Sequence, residues 1–439
     1  MKKIFIFAIT ILPLIIFSVN FSIFYENTIF NGTKYFSNTF IPKISYTSDN
    51  FKFIASMKFS NDGKYPPFYN EFYKDYYIKF QDAGIILSLE NIEVKMGNFK
   101  NYDIINSPYS LFISSLGHSK PIISIKYEDQ KFLYESRYML SSYKANETIN
   151  KGINLKYYAI KLNNFTFGFE ETAVYVNRIF DFEYLSNPLP NFFIQYYRVN
   201  NLYGNIFNDN SLMGFFGNYK GEKYTIFGQI LIDDFNANRF FNPQNDTVDK
   251  MAWSFGTVFQ YNKLKIKLFH AGATKYTFQP SSIATSSNAF YYGYTYYNTL
   301  EINGYPISYE DTYVGYKYGE NNIAFMVAAE YNGNIKFNTA VELVVSGTKS
   351  PINPWTDKDT FEPNFNLLNE SKLEKCVFFY LNIVKNFDII TLGIRSKFGK
   401  IFNVLEKVIP DDANKLPYFS PSDKDKNIIE ISAFFELSL

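Results

Sequence analysis

Two pairs of adjacent carboxylates, Glu170–Glu171 and Asp233–Asp234, are the side chains best placed by type to do acid–base chemistry in this 439-residue sequence. Hydrolysis of a sugar bond needs two carboxyl groups aimed across one glycosidic oxygen. Adjacent residues on a strand point to opposite faces, so neither pair meets that demand alone. His118 and His270, the 2 histidines, are too few for a multi-histidine metal site. No phosphate-binding glycine loop, dinucleotide fingerprint, zinc-protease helix motif or serine elbow is present. The sequence therefore predicts no enzyme, no cofactor and no metal.

The same residues read better as contacts for a saccharide. Asp233 and Asp234 end a strand and enter a loop, where a sugar or calcium contact is one use and a plain strand end the other. Arg198 precedes "NNLYGNIFNDN", in which Asn200, Asn201 and Tyr203 supply amides and a ring suited to sugar hydroxyls and stacking, with an ordinary polar loop as the alternative. Glu170 and Glu171 complete this candidate set. Glu171 is the awkward member. Pairing places it beside Lys156 on a phenylalanine-rich face, which requires either the headgroup level of a membrane or a bulge that turns it.

The elements that carry these residues are hairpins. In "FGTVFQYNKLKIKLFH", a turn at Asn262–Lys263 sets Tyr261, Phe259 and Thr257 against Leu264, Ile266 and Leu268 on one face. Gln260, Val258 and Gly256 then meet Lys265, Lys267 and Phe269 on the other. In "YAIKLNNFTFGFE", a turn at Asn163–Asn164 pairs Leu162, Ile160 and Tyr158 with Phe165, Phe167 and Phe169. Its reverse face pairs Lys161 with Thr166 and Tyr157 with Glu170. Each hairpin has one greasy side and one lysine-bearing side.

Strand-like segments of this kind recur to the end of the chain, and hardly any segment reads as helix; "NFFIQYYRV" and "YVGYKYG" are among the strand candidates. Turn-rich stretches near 235–250, 273–288, 346–371 and 409–426 read as long loops. The only cysteine, Cys376, excludes an intrachain disulfide and reads as a small apolar strand residue. Aromatic residues make up 20%, with 38 Tyr and 48 Phe, while the mean hydropathy of −0.18 looks soluble. A net charge of +1 argues against nucleic acid as a partner.

The N-terminus opens with Lys2 and Lys3, an apolar run to Phe17 and then small polar residues. Residues 1–18 are expected to be a signal peptide, cleaved after Ser18. No later run approaches the roughly 20 apolar residues of a spanning helix. An exported chain of hairpins then leaves two choices: a soluble sandwich or propeller, or a transmembrane barrel with its greasy face in lipid. The barrel fits the alternation, with Lys161, Lys265 and Lys267 turned to a wet lumen. At roughly 20–25 residues per strand and loop, residues 19–439 make one all-β domain, an antiparallel barrel of about 16–18 strands. The last strand agrees. Leu439, Leu437, Phe435, Ala433, Ile431 and Ile429 share a face, opposite Ser438, Glu436, Ser432 and Glu430 and interrupted by Phe434. It is similar to the terminal assembly signal of bacterial outer-membrane barrels, with leucine in place of the usual aromatic.

Five segments resemble the Wzi-like family of outer-membrane barrels: "DAGIILSLENIEVKMGNF" (82–99), "SLFISSLGHSKPIISIKY" (110–127), "FTFGFEETAVY" (165–175), "NFFIQYYRVNNLYGNIFNDNSLMGFFGNY" (191–219) and "YTIFGQILIDDF" (224–235). "KSPINPWTD" (349–357) is a weaker echo. The resemblance implies a barrel near eighteen strands that holds or organises capsular or other surface polysaccharide without catalysis. It also implies a glycine-rich loop where this chain has "KNYDIINSPY", and an N-terminal helical region that is not legible between Ser22 and Asn50. Outer-membrane lipid, the barrel-assembly machinery and exopolysaccharide are the expected partners, in the outer membrane of a diderm bacterium. A general diffusion porin and an outer-membrane or secreted hydrolase are the alternative functions.

Overall fold

Asn163 and Asn262 adopt the left-handed backbone region, at φ +50° and +52°, which asparagine tolerates better than most residues. Each opens a two-residue turn. Tyr261 pairs with Leu264, Phe259 with Ile266 and Gln260 with Lys265. Leu162 pairs with Phe165, Ile160 with Phe167 and Tyr157 with Glu170. The expected registers of both hairpins are those of the folded chain.

The computed structural model describes residues 19–30, 36–67, 75–116, 119–142, 150–198, 209–234, 248–279, 293–296, 301–302, 305–306, 312–350, 364–411 and 417–439. The predicted signal segment, 1–18, lies outside them. Thirteen long strands come first: β1 (Val19–Phe30), β2 (Ser37–Thr47), β3 (Phe51–Ser60), β4 (Tyr77–Leu89), β5 (Ile92–Phe99), β6 (Lys120–Glu128), β7 (Phe132–Ser142), β8 (Lys151–Leu162), β9 (Phe165–Val176), β10 (Asn210–Lys220), β11 (Tyr224–Asp234), β12 (Val248–Tyr261) and β13 (Leu264–Ala273). Five more follow at Asn322–Asn332, Ile335–Ser346, Glu374–Phe387, Ile390–Phe402 and Lys426–Ser438. Neighbours in sequence pair antiparallel throughout, and the last strand pairs back onto β1, Leu437 opposite Ile23. The result is a closed 18-strand barrel. A two-residue strand, Asn364–Phe365, adds in parallel to the start of β12. β1 and β2 occupy the region where the family resemblance implies helix.

The two ends of the barrel differ. Tight turns at 48–50, 90–91, 163–164 and 262–263 gather at the end that also holds Val19 and Ser438. The strand ends that bound the long connections, such as Val176 with Asn210 and Ala273 with Asn322, lie at the other. Outer-membrane barrels keep short turns in the periplasm and long loops outside the cell.

Alternation decides which side meets what. Leu264, Ile266 and Leu268 are each 40% exposed on the outer face, and Phe325, Leu343, Leu392 and Ile431 continue that exposure around the wall. An apolar belt of this extent is tolerated in lipid and not in water. Glycines let inward rings lie flat on the wall: a Cβ on Gly393 would fall 2.1 Å from Cζ of the buried Phe434. Phe434, which interrupts the polar face of the last strand, is thereby accommodated inside.

Two strand expectations are corrected. "NFFIQYYRV" forms the helix Asn191–Tyr197, preceded by the short helix Phe182–Ser186, whose N-cap Asp181 accepts a hydrogen bond from the Tyr184 amide. Its exposed aromatics fall at 192, 193, 196 and 197, a helical spacing that a strand reading overlooks. "YVGYKYG" runs as bends and turns with a single bridge, Tyr313 to Thr295, inside the barrel.

Candidate functional site

Inward side chains of the wall meet two segments folded into the lumen. The first, 100–116, follows β5 and buries Ile105, Tyr109, Leu111, Phe112 and Ile113. Asp103 shapes it by accepting from the amides of Ile105 (3.3 Å) and Ile113 (3.1 Å). The second segment, 293–296 with 312–322, buries Tyr294, Tyr313, Val314 and Tyr316. The two are pressed together at Gly315, where a Cβ would lie 1.8 Å from the Leu111 carbonyl oxygen. Nearby, the Ser114 amide donates to the Val314 carbonyl at 2.8 Å.

Charged wall residues hold this plug. Glu342 accepts from Tyr109 Oη (2.8 Å), Lys317 Nζ (2.8 Å) and Tyr380 Oη (2.7 Å), so one carboxylate ties both segments to the wall. Gln229 bridges a second point: its Nε2 donates to Asp103 (2.7 Å) and Glu170 (3.2 Å), and its Oε1 accepts from the Leu111 amide (3.1 Å). A third is Arg137, whose Nε meets Glu135 at 2.7 Å and whose Nη1 meets the Tyr102 carbonyl at 2.6 Å. The guanidinium stacks 3.7 Å from the centre of the Tyr102 ring. Burial pushes the Asp103 carboxyl up to about 6, against the lowering pull of the Ile113 and Ile105 amides and of Gln229. Asp103 and Glu170 do converge, but on one amide and beneath the plug, where Glu170 is fully buried.

Beside the plug lies an open recess of about 400 Å³, bounded by β1 to β4 and the strand Ile390–Phe402. Among the described residues its lining carries Lys58, Lys64, Lys79, Lys100 and Arg395 against a single carboxylate, Glu26. Tyr65 and Tyr77 stand edge to face at 5.0 Å, with Lys79 Nζ 4.5 Å from the Tyr65 ring. Asp62 steadies this corner by accepting from Lys58 (3.1 Å) and Tyr77 (3.0 Å). Arg395 reaches Glu26 at 3.3 Å and lies 4.3 Å from the Phe434 ring. Cations over aromatic faces suit an acidic saccharide better than a neutral one.

The sequence-predicted residues do not form one site. Glu170 faces the plug. Glu171 faces outward, with no bulge in its strand, and accepts from the amides of Asn191 and Phe192 at the start of the helix Asn191–Tyr197. Arg198 ends that helix and forks onto Asp181 at 2.7 and 2.9 Å, with Glu183 as a further partner at 2.8 Å. Asn200, Asn201, Tyr203 and His118 lie outside the described residues. Asp233, at the end of β11, stands 3.8 Å from Lys250, and the backbone of Asp234 pairs with Lys250 across a bulge. Lys265 and Lys267 share the inward face with buried Phe269, and Lys267 pairs with Glu330 at 2.7 Å. Lys161 lies opposite Thr166 and pairs with Glu128. His270 faces outward, accepting from Trp253 Nε1 at 3.1 Å. Cys376 is buried. The described residues contain no group of three potential metal ligands.

Sequence reasoning passed over Asp103, Glu342 and the recess lysines. Glu342 could have been found: it interrupts "TAVELVV" at an inward position between outward Val341 and Leu343.

No sequence-family profile and no curated protein matches the chain. Solved structures do. Wzi of Escherichia coli, described as an outer-membrane protein involved in group 1 capsule assembly and a carbohydrate-binding β-barrel, superposes with a TM-score of 0.58 at 10% identity. The match covers 98% of this chain and 87% of that one. The fold is that of a Wzi-like outer-membrane barrel. OccD3 of Pseudomonas aeruginosa aligns over 96% of this chain and 91% of its own, at 11% identity and a TM-score of 0.47. OccAB3 of Acinetobacter baumannii aligns over 96% and 98%, at 12% identity and 0.45. What the chain shares with Wzi is the fold, a closed antiparallel barrel of the outer-membrane type.

Proposed function

We propose that this chain is a non-catalytic surface barrel that binds or organises acidic polysaccharide at its long-loop end. The observation that carries the reading is the plug: two segments fold into the lumen and are tied to the wall by the buried charges of Glu342, Glu135 and Arg137. Buried polar anchors of this kind are costly to break, which supports a lumen narrowed against free diffusion. The basic, tyrosine-lined recess beside the plug is then the place where a chain of uronic-acid type would lie. The fold shared with a carbohydrate-binding barrel supports the same reading.

Two measurements on the purified mature protein test it. Retention on immobilised alginate, a polyuronate, but not on dextran is the expected binding result, and small, intermittent conductance in planar bilayers is the expected electrical one. A large steady conductance with no alginate retention would favour a diffusion channel, the second reading that an open basic recess permits.

A further inference from the structure

The described part of the connection after β9, residues 177–198, folds back over the outside of the barrel. From turn outward, the wall of the β12–β13 hairpin stays apolar or aromatic at its fourth outward pair, Phe255 with His270. The β10–β11 hairpin has Met213 with Ile232 at that level, and the strands Asn322–Asn332 and Ile335–Ser346 have Phe325 with Leu343. On β8–β9 the greasy pairs stop after Tyr158 and Phe169. The fourth outward pair is Lys156 with Glu171, two charges at a depth where the neighbouring wall meets lipid.

Those charges are covered. Lys156 Nζ donates to the carbonyls of Asn187 (2.7 Å) and Leu189 (2.6 Å), and Glu171 caps the first amides of the helix Asn191–Tyr197. Tyr158 Oη adds a bond to the Pro188 carbonyl at 2.9 Å. The hairpin of helices thus turns its polar backbone to the wall. Its outer side shows Phe182, Leu189, Phe192, Phe193, Tyr196 and Tyr197, from 40% to 70% exposed.

We propose that residues 178–198 form an interfacial foot that replaces the barrel wall as the lipid-contacting surface in this sector. Its occupant is outer-leaflet lipid at the boundary between acyl chains and headgroups. Three observations choose lipid over a protein partner. The aromatic face continues the established apolar belt at the same height. It is made of Phe and Tyr with a single Leu, residue types that suit membrane interfaces. The charged side chains of the segment, Arg178, Asp181, Glu183 and Arg198, are spent on one another and on Asp209, with Glu183 the one that stays partly exposed.

Spin labels on the full mature chain in lipid vesicles test this, on a Cys376→Ala background. A nitroxide at Phe193→Cys or, separately, Tyr197→Cys is expected to show an oxygen-to-nickel-chelate accessibility ratio matching that of a lipid reference at Ile266→Cys. A ratio matching a lumen reference at Lys265→Cys would overturn the proposal, because the foot would then stand in water. Line broadening that grows with protein density would also overturn it, since a second copy would be the occupant. Two label sites guard against one substitution disturbing the hairpin.

Discussion

Lys156 and Glu171 sit directly opposite one another on the outward face of the β8–β9 hairpin, and the hairpin of helices closes over both. Their partners are backbone groups, not each other: Lys156 takes two carbonyls and Glu171 two amides. The pair acts as a clamp with one jaw on the carbonyls that follow the helix Phe182–Ser186 and one on the first amides of the helix Asn191–Tyr197, where unsatisfied backbone groups gather. Its consequence is that a charged patch of wall is converted into an aromatic outer surface.

Glu171→Ala leaves those amides without an acceptor and Lys156 without its counter-charge, a loss of about 1–3 kcal/mol. The hairpin is expected to open while the barrel stays closed, because the ladder of β8 with β9 is untouched. Hydrogen exchange should rise across 178–198 and not in β8, and the heat-dependent mobility shift on gels should persist. Protection that is unchanged at 178–198 would show that the clamp holds nothing.

Removing Glu342 should loosen the plug. Glu342→Ala strips Tyr109, Lys317 and Tyr380 of their shared acceptor and strands a buried lysine, at a cost of about 3–5 kcal/mol. The double variant Glu342→Ala, Lys317→Met removes both charges and should recover part of the loss. In planar bilayers the single variant is expected to show larger and longer openings than the wild type, with the double variant between them. Equal conductance in all three would mean that the plug is held elsewhere.

Acid should act in opposite directions on Asp103 in the plug and Asp181 in the foot. The Asp103 carboxyl is raised to about 6 by burial, so the docked loop takes up a proton more readily than a released one. That stabilisation is complete below the ordinary carboxylate value and is lost as pH rises through about 6. Asp181 is different: burial would raise it, but Arg198 and the Tyr184 amide prevail and its pKa is lowered. Its contribution is present above the ordinary value and is lost as pH falls through the depressed one. Exchange protection in 100–116 should therefore rise from pH 8 to pH 5, and the Asp181 contribution to 178–198 should be lost only under stronger acid. Asp103→Asn should weaken the trend in 100–116.

How much of this was legible in the sequence follows from the range of each interaction. Asn163 and Asn262 fix hairpins through neighbours, so register, inward lysines and the outward greasy face could be read from alternation alone. The plug could not, since Tyr109 meets Glu342 from 233 residues away. Such contacts leave no periodic trace. Glu171 was legible as an anomaly, a charge on a lipid-side row, but its resolution was a helix hidden in "NFFIQYY". That segment is aromatic enough to pass for a strand and is betrayed only by the pairs at 192–193 and 196–197. Arg198 looked like a sugar contact because its acidic partners, Asp181 and Glu183, lie across a turn that the strand reading did not contain.

Neighbouring residues on β13 offer the sharpest contrast between the two faces. Leu268 points to lipid and Lys267 to the lumen, where it meets Glu330 at 2.7 Å. Leu268→Lys puts a charge into the apolar belt at the third outward pair from the turn and should cost about 2–4 kcal/mol if that depth is near the midplane. Lys267→Leu removes a partly exposed ion pair worth no more than about 1 kcal/mol. Urea titration of folding into vesicles should separate the two variants by at least that margin, with Leu268→Lys the weaker. Similar destabilisation by both would mean that the inward face is packed as tightly as the outer one is bathed in lipid, and the assignment of Lys267 to a hydrated lumen would have to be given up.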